Sequence, residues 1–337
     1  MQKTAIVLVN LGTPDAPSTN KVRKFLGEFL NDARVIDLPW LARKILVNLI
    51  IVPFRAPKSA KMYQQLWTEQ GSPIIFHGND LLEKFNKLSD GSWKAFLAMR
   101  YRVPSLKSVL EQVRQEHYSK LIIVPLFPQY ASSTTGSVVE QSMNIIKKWP
   151  EIPHIEFISE FYNHPGFINA WIEKIKPYQP ENFEHIIFSF HGLPVNQVEM
   201  THHDESCEIH KCKEEINLSN RFCYQAQCYE TTRLIAQKLG LEKEKYTLCF
   251  QSRFGKSWLN PYADKVIEEK AKAGVKKMLV LPLSFVADCL ETNLEIGTEY
   301  AELFKENGGG HYQMVESLNA EDFWINALKS IILANKY

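Results

Sequence analysis

The stretch from residue 186 to residue 194 places a histidine where it could do chemistry. Residues 186–190 are apolar and β-prone, and Gly192 and Pro194 end the run abruptly. This pattern predicts His191 at the carboxyl end of a buried strand. Open α/β sheets bind their ligands at that end. An imidazole there can accept a proton near neutral pH or bind a borderline metal ion, although a histidine that only caps a turn fits the same pattern.

A second stretch carries three carboxylates, Asp288, Glu291 and Glu295. If the segment begins a helix, Glu291 and Glu295 lie one turn apart on one face, with Asp288 three residues earlier. Cations or protons would relieve the repulsion between them. A solvated acidic surface has the same spacing. Because the segment follows a predicted buried strand and contains Leu290 and Leu294, we interpret it as functional.

Four of the six cysteines lie close together in two Cys-x₄-Cys pairs separated by ten residues: Cys207, Cys212, Cys223 and Cys228. The segment between the pairs is polar, which is not typical of ordinary core cysteines. Thiolates at this spacing suit an iron–sulfur cluster or zinc. Three nearby histidines offer alternative zinc ligands: His202, His203 and His210.

The elements that must position these residues alternate along the chain. Strand-like runs are predicted at 4–9, 94–99, 121–124, 155–158, 186–190, 246–250 and 277–281. Helix-like stretches between them include 105–117, 137–148, 225–239 and 260–273. Alternation of this kind predicts parallel sheets with helices on both faces.

The two halves of the chain resemble each other. A strand followed by Gly and Pro opens each half, at residues 7–14 and 188–194, and a basic residue, an apolar strand and Pro-Leu follow in each, at 120–126 and 276–283. We therefore predict two similar doubly wound domains. Since no Gly-x-Gly-x-x-Gly follows a strand and no Gly-x-x-x-x-Gly-Lys-Ser/Thr occurs, a dinucleotide or nucleoside triphosphate is not indicated.

Composition excludes several classes of partner and location. The formal net charge is +1, whereas nucleic-acid binding proteins usually carry a strong basic excess. The first apolar run is too short for a signal peptide, and no run of about 18 apolar residues could span a bilayer. We therefore expect a cytoplasmic protein. The apolar segment 40–54 could form a lip over a cleft, make a peripheral contact with the inner face of the membrane, or be an ordinary buried helix.

The chain resembles the ferrochelatase family nearly from end to end. The resemblance is carried by motifs that occur in the family's order: Leu8-Val9-Asn10-Leu11-Gly12-Thr13-Pro14, Gly71-Ser72-Pro73-Ile74, Met99-Arg100-Tyr101, Pro128-Gln129-Tyr130 with Ser133-Thr134-Thr135-Gly136, Ser189-Phe190-His191-Gly192-Leu193-Pro194, Gln251-Ser252-Arg253 with Trp258-Leu259, and Leu290-Glu291-Thr292.

This resemblance implies a chelatase-like α/β fold of two similar Rossmann-like domains, with parallel sheets that face across a porphyrin cleft. We predict the domains as residues 1–160, which include the apolar lip, and 161–337, which carry His191, the cysteines and the acidic helix. The resemblance implies that His191 and Glu291 are catalytic and bind the metal from opposite sides of the macrocycle. It also implies that Glu295 and Asp288 form an acidic metal path beyond Glu291.

Further residues match family positions that contact the porphyrin or line its pocket: Arg55, Tyr63, Ser72, Arg100, Tyr101 and Trp258. One position departs from the pattern, because some members have histidine where this chain has Cys289. Some ferrochelatases also carry a [2Fe–2S] cluster, held in certain bacterial members by four internal cysteines. The resemblance therefore implies such a cluster on the four clustered cysteines, with structural zinc or no metal as the alternatives.

The function implied is that of a lyase that inserts Fe²⁺ into protoporphyrin IX to form protohaem, a late step of haem biosynthesis. Insertion releases two pyrrole protons, so a base such as His191 is required on at least one face. Alternatives are a chelatase acting on coproporphyrin or with another metal, and a carrier of tetrapyrrole or metal without catalysis. A base paired with Glu291 argues against a carrier. The sequence does not indicate an oligomeric state.

Overall fold

The computed structural model describes residues 3–203 and 205–333. The ends of the two predicted domains, residues 1 and 337, lie outside that range. The described chain divides into two compact units. The first contains the described residues up to Phe127 together with Ser132–Glu160 and the described residues from 332 onward. The second contains Phe161–Ile331 and also Pro128–Ala131, which the predicted division at residue 160 does not anticipate.

The first unit is built on a parallel sheet with the strand order β2–β1–β3–β4. Its inner strand β1 is buried on both faces, as expected for a run of apolar residues between two parallel neighbours. Val7 of β1 lies opposite Phe96 of β2 and Ile123 of β3. The strands are β1 Thr4–Gly12, β2 Trp93–Tyr101, β3 Lys120–Pro125 and β4 His154–Phe157.

Helices cover this sheet, and apolar side chains from one face of α5 pack in the same core as those of β1 and β3. The α-helices are α1 Thr19–Leu30, α2 Trp40–Ile45, α3 Val52–Leu66, α4 Pro73–Lys87, α5 Leu106–Gln115 and α6 Ser137–Ile146. Two π-helical segments adjoin them, Leu46–Ile51 between α2 and α3, and Ser132–Gly136 before α6.

The second unit repeats this arrangement with the order β6–β5–β7–β8. Its inner strand β5 is buried along its length up to its last residue. The strands, all parallel, are β5 His185–His191, β6 Tyr246–Gln251, β7 Lys277–Pro282 and β8 His311–Met314. The α-helices are α7 Pro165–Ile175, α8 Val195–Glu199, α9 Tyr224–Leu239, α10 Ala263–Lys272, α11 Tyr300–Glu306 and α12 Asp322–Leu333.

Shorter helical segments complete the second unit. A π-helix, Glu291–Glu299, precedes α11. Single 3₁₀ turns lie at Lys176–Tyr178, Pro180–Asn182, Met200–His202 and Lys243–Lys245. The predicted α/β class with two similar parallel sheets is confirmed, since each unit shows the same strand order. Strand β8 was not predicted, because the run His-Tyr-Gln-Met is short and mixed in polarity.

The strand order identifies where a ligand would bind in the second unit. After β5 the chain forms β6 on one side and then β7 on the other, so the direction of winding reverses between β5 and β7. Ligands of doubly wound sheets bind outside the carboxyl ends of the strands at this reversal. His191 ends β5, and the segment leading to Glu291 follows β7. Among the described residues, no helix is long and apolar enough to cross a bilayer.

Candidate functional site

His191 is held through both of its backbone groups at the end of β5. Its N–H donates to the Oγ of Ser284, which follows β7, at 3.0 Å. Its carbonyl accepts a hydrogen bond of 2.8 Å from the hydroxyl of Tyr224, the first residue of α9. The Tyr224 and Ser284 hydroxyl oxygens lie 3.1 Å apart. Strand β7 and helix α9 therefore fix the backbone from which the imidazole projects.

The imidazole of His191 is oriented by its own loop. Its Nδ1 lies 2.7 Å from the carbonyl oxygen of Gly192. Because a carbonyl only accepts, Nδ1 carries the proton and the lone pair remains on Nε2. The ring is half-buried and lies 6.3 Å from the ring of Phe285, edge to face. This contact orients the ring so that Nε2 is the nitrogen left to bind a metal or a proton.

Gly192 is required by a close approach of β6. Its N–H donates to the carbonyl of Gln251, which pairs in register with His191. A Cβ at residue 192 would lie 2.7 Å from that carbonyl oxygen and 3.3 Å from Cε3 of Trp258. Trp258 thus packs directly beside the histidine loop, where a short antiparallel bridge to Pro194 anchors it.

The acidic segment is helical, but it is a π-helix rather than the predicted α-helix. Glu291 is its first residue and Glu295 follows four residues later. With i→i+5 bonds a turn holds more than four residues, so the two carboxylates still lie close to one face. Both are half-buried. π-Helices are rare and are frequent at functional sites.

Glu295 is bound at the carboxyl end of β6. Its carboxylate accepts hydrogen bonds from the backbone N–H of Ser252 at 2.7 Å, from the Ser252 hydroxyl, and from the Tyr300 hydroxyl at 2.9 Å. Ser252 takes a left-handed conformation, with φ +60°, directly after the strand. Burial and the neighbouring Glu295 carboxylate raise the pKa of Tyr300, so this hydroxyl stays a donor. An open depression beside Glu295 is lined by Ser252, Arg253, Asp264 and Tyr300.

Asp288 does not share the helical face predicted for it. It precedes the helix, and it is buried. One carboxylate oxygen accepts from the backbone N–H of Ser317 at 2.9 Å and the other from the side-chain amide of Asn319 at 2.8 Å. These hydrogen bonds to the segment after β8 account for its burial without a metal ion.

In the first unit, Arg100 and Tyr101 turn inward to a carboxylate that the sequence did not identify. The Arg100 guanidinium donates to the Asp32 carboxylate at 2.5 Å. The Tyr101 hydroxyl donates to the same carboxylate at 2.9 Å. Ser137 donates to the same carboxylate at 2.6 Å. Burial raises the pKa of Asp32, but these donors and the charge of Arg100 outweigh it and hold the pKa below its ordinary value. Asp32 has no sequence motif, so nothing in its neighbourhood predicted this role.

The other predicted porphyrin contacts of the first unit lie on α3 and α4. Arg55 is exposed on α3. Tyr63, near the end of the same helix, is buried, and its ring packs edge-to-face against that of Phe25. Ser72 is the N-cap residue of α4, and its hydroxyl lies 2.9 Å from that of Thr13. The segment 40–54 is not an ordinary buried helix, because most of its large apolar side chains are exposed: Trp40, Leu41, Ile45, Leu49, Ile50 and Phe54.

Three of the four clustered cysteines meet a histidine. The ligand atoms of His202, Cys207, Cys212 and Cys223 all lie within 4.8 Å of one another. Hydrogen bonds from Cys207 and Cys212 lower the pKa of Cys223, whereas those with Cys212 and Cys223 raise the pKa of Cys207. The three thiols are therefore close enough to share hydrogen bonds, in which Cys223 is the acceptor.

Cys228, the fourth cysteine of the predicted set, lies outside this group of ligand atoms. It lies one turn into α9, where it is completely buried. Burial raises the pKa of its thiol well above the ordinary value. His202, which the sequence offered only as an alternative ligand, takes the fourth position. The donors thus differ from the four thiolates of the [2Fe–2S] cluster implied by resemblance.

Comparison with known proteins is consistent along the whole chain. Residues 3–336 match the family model described as Ferrochelatase. A protein named ferrochelatase from Legionella pneumophila strain Lens is 41% identical over 98% of both chains. One of the same name from Coxiella burnetii strain CbuK_Q154 is 38% identical over 97% of this chain and 92% of its own. SirB from Bacillus subtilis, solved with Fe³⁺, shares the fold with a TM-score of 0.58 at 12% identity, covering 99% of this chain and 97% of its own.

Proposed function

The chain belongs to the ferrochelatase family and is an enzyme that inserts Fe²⁺ into a porphyrin in haem biosynthesis, and we propose that its porphyrin is protoporphyrin IX and its product protohaem. The observation that carries the proposal is the placement of His191 at the winding reversal between β5 and β7, with Glu291 beginning the helix that follows β7. Metal insertion needs a base and a route for cation and protons, and this end of the sheet offers both.

His191 is proposed as the base that removes pyrrole protons, and as a metal ligand during transfer. The support is its tautomer, since Nδ1–H is used by the Gly192 carbonyl and Nε2 keeps its lone pair. Its backbone is fixed by Tyr224 and Ser284, so the ring needs little reorganisation. An imidazole nitrogen with a free lone pair is a good ligand for Fe²⁺.

Glu291 is proposed as the second catalytic carboxylate and metal ligand, with Glu295 beyond it. Glu295 borders an open depression that contains the Arg253–Asp264 ion pair of 2.7 Å. A carboxylate in that position can pass cations inward or protons outward. Asp288 is proposed instead as an anchor of the loop before Glu291, because its oxygens are used by Ser317 and Asn319.

The porphyrin contacts of the first unit are proposed to be of two kinds. Arg55 is exposed and can pair with a propionate, the charged group of protoporphyrin. Arg100 and Tyr101 donate to Asp32, so they are proposed to support the wall of the pocket and not to bind the porphyrin directly. In the second unit, Trp258 offers its aromatic face beside Gly192. The corresponding roles of Tyr63 and Ser72 remain predictions from the resemblance.

We also propose that the apolar lip, residues 40–54, rests on a membrane surface from the cytoplasmic side. Phe54 and Leu49 are 74% and 69% exposed, and several apolar neighbours accompany them. A contiguous exposed apolar surface is typical of a membrane or ligand contact. A hydrophobic substrate would enter most easily from such a contact.

The [2Fe–2S] cluster remains a prediction, and the described donors do not favour it. Such clusters are usually held by four thiolates, whereas the group contains three thiols and an imidazole. No step of the insertion reaction is assigned to this group.

The proposal is tested by anaerobic insertion assays with Fe²⁺, and in parallel with Co²⁺ and Zn²⁺, on protoporphyrin IX and on coproporphyrin. We expect a higher kcat/KM with protoporphyrin IX. A preference for coproporphyrin would replace the proposed substrate, and preference for another divalent metal would replace the proposed metal. Binding of porphyrin without turnover would indicate a non-catalytic tetrapyrrole carrier.

A further inference from the structure

Residues 203–223 form a long loop whose described part, Asp204 aside, contains no helix or strand. Loops of this length in compact domains are uncommon unless they serve a function. Apolar side chains of this loop point outward, since Ile209 is 67% exposed and Leu218 is 90% exposed. Its described interior therefore has no hydrophobic core that could stabilise it.

The buried side chains of this loop are polar or contain thiols. Within the described loop they are Cys207, Cys212, Asn220 and Cys223, and the buried His202 adjoins them. Asn220 holds the backbone around them, donating to the carbonyls of His210 and Glu215 at 2.9 Å each. A loop whose interior consists of ligating side chains is expected of a segment that folds around a metal ion.

The distances fit one tetrahedral ion. With Zn–S of about 2.3 Å and Zn–N of about 2.0 Å, two ligand sulfurs lie about 3.8 Å apart and a sulfur and a nitrogen about 3.5 Å apart. The Sγ atoms of Cys207 and Cys223 are 3.7 Å apart, and Cys212 Sγ lies 3.3 Å from His202 Nε2. A [2Fe–2S] cluster places two irons and two sulfides between its ligand pairs, which separates those pairs further.

His202 has the second contact that is typical of a metal-bound imidazole. Its Nδ1 lies 3.2 Å from the carbonyl oxygen of Ser219, which only accepts. Nδ1 therefore carries the proton and Nε2 keeps the lone pair that points at the thiols. The ring also stacks on that of His210 at 4.3 Å, and His210 is oriented by Glu205 and Ser219.

We propose that His202, Cys207, Cys212 and Cys223 bind a single structural zinc ion. The site closes the loop onto the start of α9, because Cys223 directly precedes Tyr224, whose hydroxyl binds the His191 carbonyl. The ion has four protein ligands and no open position, so it stabilises the loop and takes no part in insertion.

The test measures metal and sulfide content, which do not depend on chelatase activity. The full chain is purified anaerobically, and zinc, iron and acid-labile sulfide are counted per chain. The count is repeated in the His191→Ala background, so that zinc bound at the insertion site does not contribute. We expect one zinc per chain, no sulfide, and X-ray absorption from three sulfurs and one nitrogen. Two irons with two sulfides, four sulfur ligands, or a metal-free chain would overturn the proposal.

Variants separate the two possible ligand sets. His202→Ala is expected to lose the zinc, whereas Cys228→Ser and the adjacent His203→Ala keep it. If His202→Ala does not fold, His202→Cys provides the decisive measurement, because it should retain one zinc with four sulfur ligands. Loss of the metal in Cys228→Ser together with its retention in His202→Ala would contradict the assignment.

Discussion

The hydroxyl of Tyr224 donates a hydrogen bond of 2.8 Å to the backbone carbonyl of His191. This contact joins the first residue of α9 to the last residue of β5. Both partners are shielded, since Tyr224 is buried and His191 is half-buried. The backbone of the proposed base is therefore fixed by a helix that begins at the cysteine loop.

Tyr224→Phe is expected to reduce kcat for Fe²⁺ insertion about fivefold, with little change in the KM for porphyrin. One neutral hydrogen bond contributes about 1 kcal/mol, which corresponds to that factor. The measurement is steady-state insertion under anaerobic conditions. Tyr229→Phe, on the same helix, is the matched control, and an equal loss in both variants would contradict a specific role for the contact to His191.

His191→Ala is expected to reduce insertion by at least about 100-fold while porphyrin still binds, because a general base contributes about 10²–10⁴. Turnover and porphyrin affinity are measured separately, the second by quenching of protein fluorescence. The exposed His203→Ala serves as a control for loss of a histidine. Turnover close to that of the wild type would rule out the proposed role.

Glu291→Gln is expected to slow insertion about 100-fold and Glu295→Gln about tenfold. Glu291 begins the helix that follows β7, the neighbour of the strand that ends at the proposed base, whereas Glu295 is bound to Ser252 and Tyr300 further along that helix. Initial rates over a range of Fe²⁺ concentrations check this order. The exposed Glu302→Gln is the control, and equal rates in all three variants would indicate a solvated acidic surface.

Asp288→Asn is expected to lower the free energy of unfolding while leaving the KM for Fe²⁺ nearly unchanged. The amide nitrogen cannot accept the hydrogen bond from Ser317 or Asn319, so a buried donor loses its partner at a cost of about 1–3 kcal/mol. Thermal unfolding and metal titration of activity are measured on the same preparation. A raised KM at unchanged stability would instead place Asp288 in the metal path.

The Arg100–Asp32 pair predicts a pH dependence of stability. The folded pKa of Asp32 is depressed, so its contribution is present above the unfolded value of about 3.9 and is lost as pH falls below that value toward the folded pKa. Asp32→Asn is expected to cost about 3 kcal/mol, because it leaves Arg100 unpaired. Urea unfolding between pH 3 and pH 7 should show a smaller loss at low pH in Asp32→Asn than in the wild type.

Replacing two residues of the apolar lip is expected to abolish membrane association. Leu49→Glu/Phe54→Glu removes exposed apolar surface and adds charge that anionic lipid repels. Flotation with anionic vesicles, with and without porphyrin, measures the bound fraction. Ile152→Glu, an exposed apolar residue elsewhere, is the control. Absence of wild-type flotation in either condition would count against the lip as a membrane contact.

Local patterns were sufficient for the repeated α/β elements and for the position of His191. An apolar run ended by Gly192 and Pro194 specifies a buried strand and its end, because both depend on adjacent residues alone. The same holds for Glu291 and Glu295, whose spacing of four keeps them near one face in an α-helix or a π-helix. The equal strand order of the two sheets also follows the repeated pattern of the sequence.

Tertiary structure alone decided which partners complete each site. Asp288 binds Ser317 and Asn319, which follow it by 29 and 31 positions. Arg100 binds Asp32, which precedes it by 68 positions. His202 joins three cysteines, while Cys228 is carried into the core by α9, although the spacing of the four cysteines is symmetric. These outcomes depend on the path of loops between elements, where hydrogen bonds between distant residues determine the structure and local periodicity carries no information about it.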